Sequence, residues 1–258
     1  MDELIRPFGL LIALAFTMLL VVLRFQAELF GVAEYADYGP DGRPATRLRR
    51  RLSWYLVGLL IILTMVWIYP GLAEDLFVGL GDKGGAVFYG MILGVAGSAL
   101  AVGVALLRYG HIRLPAVSSY PVAMINALGT AFMDEVTFRG AVLGFLILAG
   151  LNPWLAILIE TLIYGLATRL GAPGRDRSLF VLALVLGVVT GWATIETGGI
   201  GAAFIGHSIS RFAIFLTTGH SGQPLAKGRE VEEIEKRRRP PEGWSIVGAM
   251  RDSINRER

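Results

Sequence analysis

Seven stretches of nearly continuous apolar residues dominate this 258-residue chain, at roughly Pro7–Leu23, Leu52–Tyr69, Ala86–Leu107, Tyr120–Ala149, Pro153–Ala167, Leu179–Ile195 and Ile200–Thr217. A helix crossing a bilayer needs about 20 mostly apolar residues, and in lipid its backbone polar groups must be satisfied within the segment. The expected fold is therefore all-α, a polytopic transmembrane helical bundle of about seven spans, with six to eight as the range. Only 17% of the residues are charged, against about a quarter in soluble domains, and the deficit agrees with a lipid environment. Cysteine is absent, which removes disulfides, thiolate ligands and cysteine nucleophiles from consideration.

Basic residues sit in short blocks between the apolar runs, as membrane-flanking charges do, and not as a nucleic-acid-binding surface would arrange them. They alternate by loop. Arg47, Arg49, Arg50 and Arg51 close the first loop, Arg108 and Arg113 occupy the third, and Arg169, Arg175 and Arg177 the fifth. The second loop instead carries Glu74, Asp75 and Asp82 against Lys83, the fourth is only Gly150-Leu-Asn152, and the sixth has Glu196. With Lys236-Arg-Arg-Arg239 in the tail, the positive-inside rule places the N-terminus outside and the C-terminus in the cytoplasm. The expected location is the cell membrane, as a multi-pass protein of a prokaryotic inner membrane. Met1-Asp-Glu-Leu-Ile-Arg6 is not a basic leader, and no small-x-small site follows, so the first run is expected to be a retained span.

Two organisational units follow: a transmembrane domain over 1–219 and a polar, basic cytoplasmic tail over 220–258. In the tail, Trp244, Val247, Met250 and Ile254 have the spacing of a short amphipathic helix. Within the membrane domain, Gly90, Gly94 and Ser98 lie four apart, as do Gly187 and Gly191, and such small-residue faces let helices approach closely. Trp54 near one end of the second run, with Trp67 and Tyr69 at the other, has the pattern of interfacial aromatic belts. The fourth run is the anomaly. Ser118 or Ser119 could cap it and Pro121 suits its first turn, leaving about 30 residues or roughly 45 Å of helix. It must tilt, kink, protrude or divide into two spans.

Ionisable groups at membrane depth cost roughly 2.5–3.5 kcal/mol each, so they are kept where they pair, line a wet cavity or work. Here they are Asp134, Glu135 and Arg139 in the fourth run, Glu160 in the fifth, and His207 and Arg211 in the seventh. Glu135 and Arg139 share a helix face at i, i+4, as do His207 and Arg211, while Glu160, Tyr164 and Thr168 form a polar stripe. Convergence on one buried site is the economical reading. Two acids beside a histidine could activate water, or the acids and arginines could form a neutralised network that fixes helix register. A metal is not expected, because His111 and His220 fall in loops or at a span end and one histidine with acids is thin for zinc.

Asp134-Glu-Val-Thr-Phe-Arg139-Gly140 resembles the Glu-Glu-x-x-x-Arg motif of the CAAX prenyl protease and bacteriocin-processing family, the Abi family of intramembrane peptidases. The family's aromatic-Gly-Leu-x-His segment is matched by Tyr164-Gly-Leu-Ala-Thr168, and its closing helices by Gly187-Val-Val-Thr-Gly191-Trp, Glu196-Thr-Gly198 and His207-Ser-Ile-Ser-Arg211. The similarity covers about residues 117–218, roughly 40% of the chain. It implies a catalytic set of Asp134, Glu135, Arg139, His207 and Arg211, with Thr168 at the second motif's histidine position. Three of these positions depart from the family pattern. Asp134 stands where the water-activating glutamate is expected, Thr168 replaces a histidine, and Arg211 replaces an Asn or Asp that helps hold the oxyanion.

Two functional readings follow from the resemblance. One is a divergent intramembrane peptidase using an acid-activated water, with His207 and Arg211 on the oxyanion. The other, simpler given three substitutions, is a non-catalytic relative that binds a peptide, a membrane-protein partner or a larger membrane complex. A third class stands apart: His207 follows Ala202, Ala203 and Gly206, small neighbours that would admit a haem or other tetrapyrrole ligated by its imidazole.

Overall fold

The structure is a computed structural model and describes residues 2–27, 29–30, 44–110, 112, 114–115, 117, 120–170 and 178–218. His111, Arg113, Ser118, Ser119, Arg175, Arg177, His220 and the expected tail helix around Trp244 lie outside the described residues.

Among the described residues the regular structure is entirely helical, and its rods follow the seven apolar runs. They are α1 (Asp2–Phe25), α2 (Pro44–Ile68), α3 (Lys83–Tyr109), α4 (Tyr120–Glu135), α5 (Leu143–Leu148), α6 (Pro153–Leu170), α7 (Ser178–Thr197) and α8 (Gly201–Thr218). A π-helical segment, Val136–Val142, joins α4 to α5 without a break, so the overlong fourth run is one continuous rod. Among the described residues, three helices are long and apolar enough to cross a membrane by length and composition, over Arg6–Phe25, Arg49–Ile68 and Lys83–Leu107.

Local sequence chemistry sets the ends. Asp82 caps α3 by accepting from the backbone N–H groups of Gly84 and Gly85 at 3.3 and 2.7 Å, and Gly110 ends it in a left-handed conformation. Asn152 accepts from Trp154 N–H at 3.0 Å ahead of α6, whose first residue is Pro153.

Burial is inverted relative to a soluble protein. Leu11, Leu63, Val95 and Leu107 are exposed on the outer faces of their helices, while Asp134, Glu135, Arg139 and Glu160 are buried at 1% exposure or less. So much apolar surface around a charged interior is stable only against lipid.

The expected glycine faces are where helices meet most closely. A Cβ on Gly90 or Gly94 would fall 2.7 Å from Ile205 or Ile209 of α8, and one on Gly187 would fall 2.7 Å from Thr161 of α6. Close packing of α3 on α8 and α7 on α6 follows.

Two expectations are corrected. Trp54 is not an interfacial belt residue: it is 1% exposed, and its indole N–H donates to the Leu23 carbonyl at 3.1 Å, fastening α2 to α1. Tyr69 is likewise buried, edge-to-face on Phe145 with ring centroids 6.1 Å apart, and only Trp67 stands on the surface. The indole of Trp54 finds an acceptor in the last turn of α1, so it gains burial without losing a hydrogen bond.

Hydropathy gave no sign of the α2–α3 connection. A 3-10 turn, Ala73–Leu76, sends the fully buried Leu76 against the π segment and α5, where a Cβ on Gly144 would lie 2.6 Å from Leu76 Cα. Ile200 N–H then donates to the carbonyls of Phe77 and Gly79 at 3.1 and 2.9 Å, and Asp82 N–H to that of Thr197 at 2.7 Å. The loop thus ties α2, α3, the fourth rod and the α7–α8 turn together at one end of the bundle.

Candidate active site: two carboxylates facing opposite ways

Asp134 and Glu135 are consecutive, so their side chains leave α4 about 100° apart. The two carboxylates therefore reach different neighbours.

Asp134 faces α1. Arg24 Nε stands 2.6 Å from Asp134 Oδ1, and Arg24 Nη2 donates to Oδ2 at 3.3 Å, both side chains being essentially inaccessible. The Nη2 contact is a hydrogen bond, and the Nε contact is a close ion pair without hydrogen-bond geometry. Sequence reasoning assigned Arg24 no role, and it is the acid's counter-ion. Its signal lies in the spacing of the buried α1 residues Ala13, Thr17, Leu20 and Arg24, which is that of one helix face.

Glu135 faces α8. Its Oε1 lies 2.6 Å from His207 Nδ1, and its Oε2 lies 3.3 Å from Arg139 Nε, one helical turn on. Arg139 begins in the π segment and reaches three helices. Its Nε also lies 3.6 Å from Glu160 Oε1 of α6 and donates to Thr190 Oγ1 of α7 at 2.9 Å. The guanidinium carbon sits 4.1 Å over the ring centroid of Tyr164, a cation–π contact strengthened by exclusion of water. Thr190 is aimed by its own bond to the Leu186 carbonyl at 2.7 Å.

A pocket of about 340 Å³, counting its open mouth, lies over this second group. Glu135, Arg139, Tyr164, Thr190, His207 and Ser210 supply its polar lining, and Leu93, Leu186 and Gly206 its apolar lining. Asp134, Glu160, Thr168 and Arg211 are not in that lining. Thr168 is buried and spends its hydroxyl on the Gly165 carbonyl at 2.9 Å. Arg211 lies within electrostatic reach of Asp134, Tyr55, Arg24 and Tyr164, yet it makes no hydrogen bond or ion pair among the described residues, and its Nε is buried.

The sequence-predicted residues are thus divided. Glu135, Arg139, Glu160 and His207 meet through direct contacts; Asp134 is held by Arg24; Thr168 and Arg211 stand outside both sets of contacts. No three histidine or acidic side chains among the described residues are grouped so as to hold a metal ion. Chemically, the pocket offers a carboxylate–imidazole pair in hydrogen-bond contact beside a fixed guanidinium.

A model of the Type II CAAX prenyl endopeptidase Rce1-like family matches residues 116–213. No curated protein and no solved structure matches the chain. The matched segment contains the acid pair, the π segment and both histidine-motif helices, while Arg24 lies outside it. The family model thus supports the resemblance carried by the motifs of this membrane protein over less than half of the chain, and the counter-ion supplied by α1 lies outside the match.

Proposed function

We propose that this chain is a non-catalytic relative of the CAAX endopeptidases, crossing the cell membrane seven times with its N-terminus outside. It binds a peptide or membrane-protein partner and uses its buried charges as an ionic framework. The observation that carries this reading is the state of two motif positions. Asp134, at the position of the family's water-activating acid, is clamped by Arg24 and absent from the pocket lining. Thr168, at the partner histidine's position, has its hydroxyl committed to a carbonyl of its own helix. Losing a proton-transfer partner alone costs 10²–10⁴-fold in rate.

A second reading has its own support. The Glu135–His207 contact at 2.6 Å lies in the pocket, so a divergent peptidase would use Glu135 to take a proton from water. His207 would orient that carboxylate, and Arg139 would hold it in place. Incubating the purified protein with a prenylated CAAX-type peptide separates the two. Absence of cleavage by a thermally stable protein is expected; cleavage that Glu135→Gln abolishes would sink the non-catalytic reading.

The tetrapyrrole reading would use His207 through Nε2, since Nδ1 already faces Glu135, an arrangement common among ligating histidines. An absorption spectrum of the purified protein without a Soret-type band excludes a bound haem.

A further inference from the structure

The pocket over Glu135 has its mouth in the side of the bundle. Leu93 of α3, Leu186 of α7 and His207 of α8 are its partly accessible lining residues, and the rest of the lining is buried. Helix α3 packs along α8, and it reaches α7 through the edge-to-face contact of Tyr89 with Trp192, ring centroids 5.4 Å apart. The mouth therefore lies in the seam between α3 and α7, one turn of α3 beyond that contact. Ile92, Val185 and Val189, close to it in sequence, are exposed apolar side chains.

Depth decides what can reach this mouth. Leu93 lies ten residues into α3, about 15 Å along a helix that is long and apolar enough to cross a bilayer. That is half of a hydrocarbon core of about 30 Å. A ligand arriving at such depth passes through acyl chains and needs an apolar body.

The pocket then selects the polar group. Buried side-chain atoms without a hydrogen-bond partner occur, among the described residues, on Arg24, Asp134, Glu160, Thr194, Ser208 and Arg211, all outside the lining. Two more belong to the lining: an acceptor, Glu135 Oε2, and a donor, Arg139 Nη1. They stand side by side, because Oε2 lies 3.3 Å from Nε of the same planar guanidinium. An added anion would face Glu135 and an added cation would face Arg139, each a mismatched charge in a low dielectric. A neutral group with one carbonyl and one N–H satisfies both orphan atoms, and that group is an amide.

We propose that this pocket binds a neutral amide carried on an apolar chain, which enters sideways from the hydrocarbon between Leu93 and Leu186. The amide carbonyl accepts from Arg139 Nη1 and its N–H donates to Glu135 Oε2, while the chain lies in the α3–α7 seam. This rests on the reading of the pocket as a binding site and names the ligand it takes. The full-length protein in neutral detergent is irradiated with a long-chain primary amide carrying a diazirine in its chain, and the labelled peptides are mapped by mass spectrometry.

Saturable labelling around Leu93 and Leu186 is expected, displaced by the unlabelled amide. The fatty acid and the amine of equal length should compete about tenfold less well, and acetamide, which has no chain, should not compete. Leu93→Trp fills the mouth and should weaken capture about tenfold or more. Val95→Trp, on the exposed side of the same helix, should leave it unchanged. Should Leu93→Trp not purify, Leu186→Trp tests the same seam from α7. A capped apolar peptide that displaces the probe better than the fatty amide identifies a backbone amide as the ligand, and the reverse identifies a lipid amide. Labelling that does not saturate, equal competition by the fatty acid or the amine, or equal loss in Val95→Trp overturns the proposal. Capture of the amide by a protein that also cleaves a prenylated peptide would refute the non-catalytic reading and leave this one standing.

Discussion

The two neighbouring carboxylates of α4 receive opposite treatment. Asp134 meets one arginine from a helix outside the matched family segment and is sealed from the pocket. Glu135 meets a histidine and an arginine from within that segment, and it opens onto the pocket. The acids differ by one position in sequence and by one methylene in length, so burial alone does not distinguish them. What differs is the neighbour each helix face presents. Asp134 faces a permanent cation from α1, whereas Glu135 has, besides Arg139, an imidazole beside it.

The largest effect is expected on the Glu135 side. Arg139→Met would strand Glu135 and Glu160 together and cost about 3–5 kcal/mol, the penalty for uncompensated buried charge. Equilibrium unfolding in detergent measures it; a loss below about 1 kcal/mol would mean that the two acids are neutralised by another route. Arg24→Met should cost less, about 2–3 kcal/mol, because Arg211 is near enough to take over part of the Asp134 charge. Pairing it with Asp134→Leu should recover most of that loss, and a double-mutant cycle showing no coupling would break the assignment of Arg24 as the counter-ion.

His207→Gln tests the pocket side more gently. An amide can keep one hydrogen bond to Glu135, so the expected loss is about 1 kcal/mol in the same unfolding measurement. A collapse of several kcal/mol would show that the imidazole is part of the framework. Thr168→Val should be the smallest change, within about 0.5 kcal/mol, since it removes only a hydroxyl bonded back to its own helix. A larger loss would assign that hydroxyl a tertiary role.

The hydropathy pattern anticipated much of this architecture. Each apolar run became a helix, with ends displaced most at α2, whose first turns contain the polar stretch Pro44–Arg51. The glycine spacings correctly marked the α3–α8 and α6–α7 faces, because a missing side chain reads the same from sequence as from structure. Charges and aromatics were harder. Arg24 and Trp54 each lie near the end of an apolar run, where a membrane-flanking residue and an inward-pointing one look alike. Only the rotation of the helix decides, and that depends on partners from distant sequence: Asp134 for Arg24, Leu23 for Trp54. The placement of Leu76 was invisible for the same reason, since its docking needs Gly144 nearly seventy positions later.

The π-helical segment has a consequence for how this rod tolerates change in length. A π turn holds one residue more than an α turn for nearly the same advance, so Val136–Val142 stores surplus chain directly after Glu135. Deleting a single residue there would let the backbone relax to ordinary α-helix while α4 kept its place. Because the residue removed is the surplus one, α5 would keep nearly the same rotation and Gly144 its seat against Leu76. The segment thus acts as a length buffer, where the rod can lose one residue without turning α5 away from the loop or the acid pair away from α1 and α8.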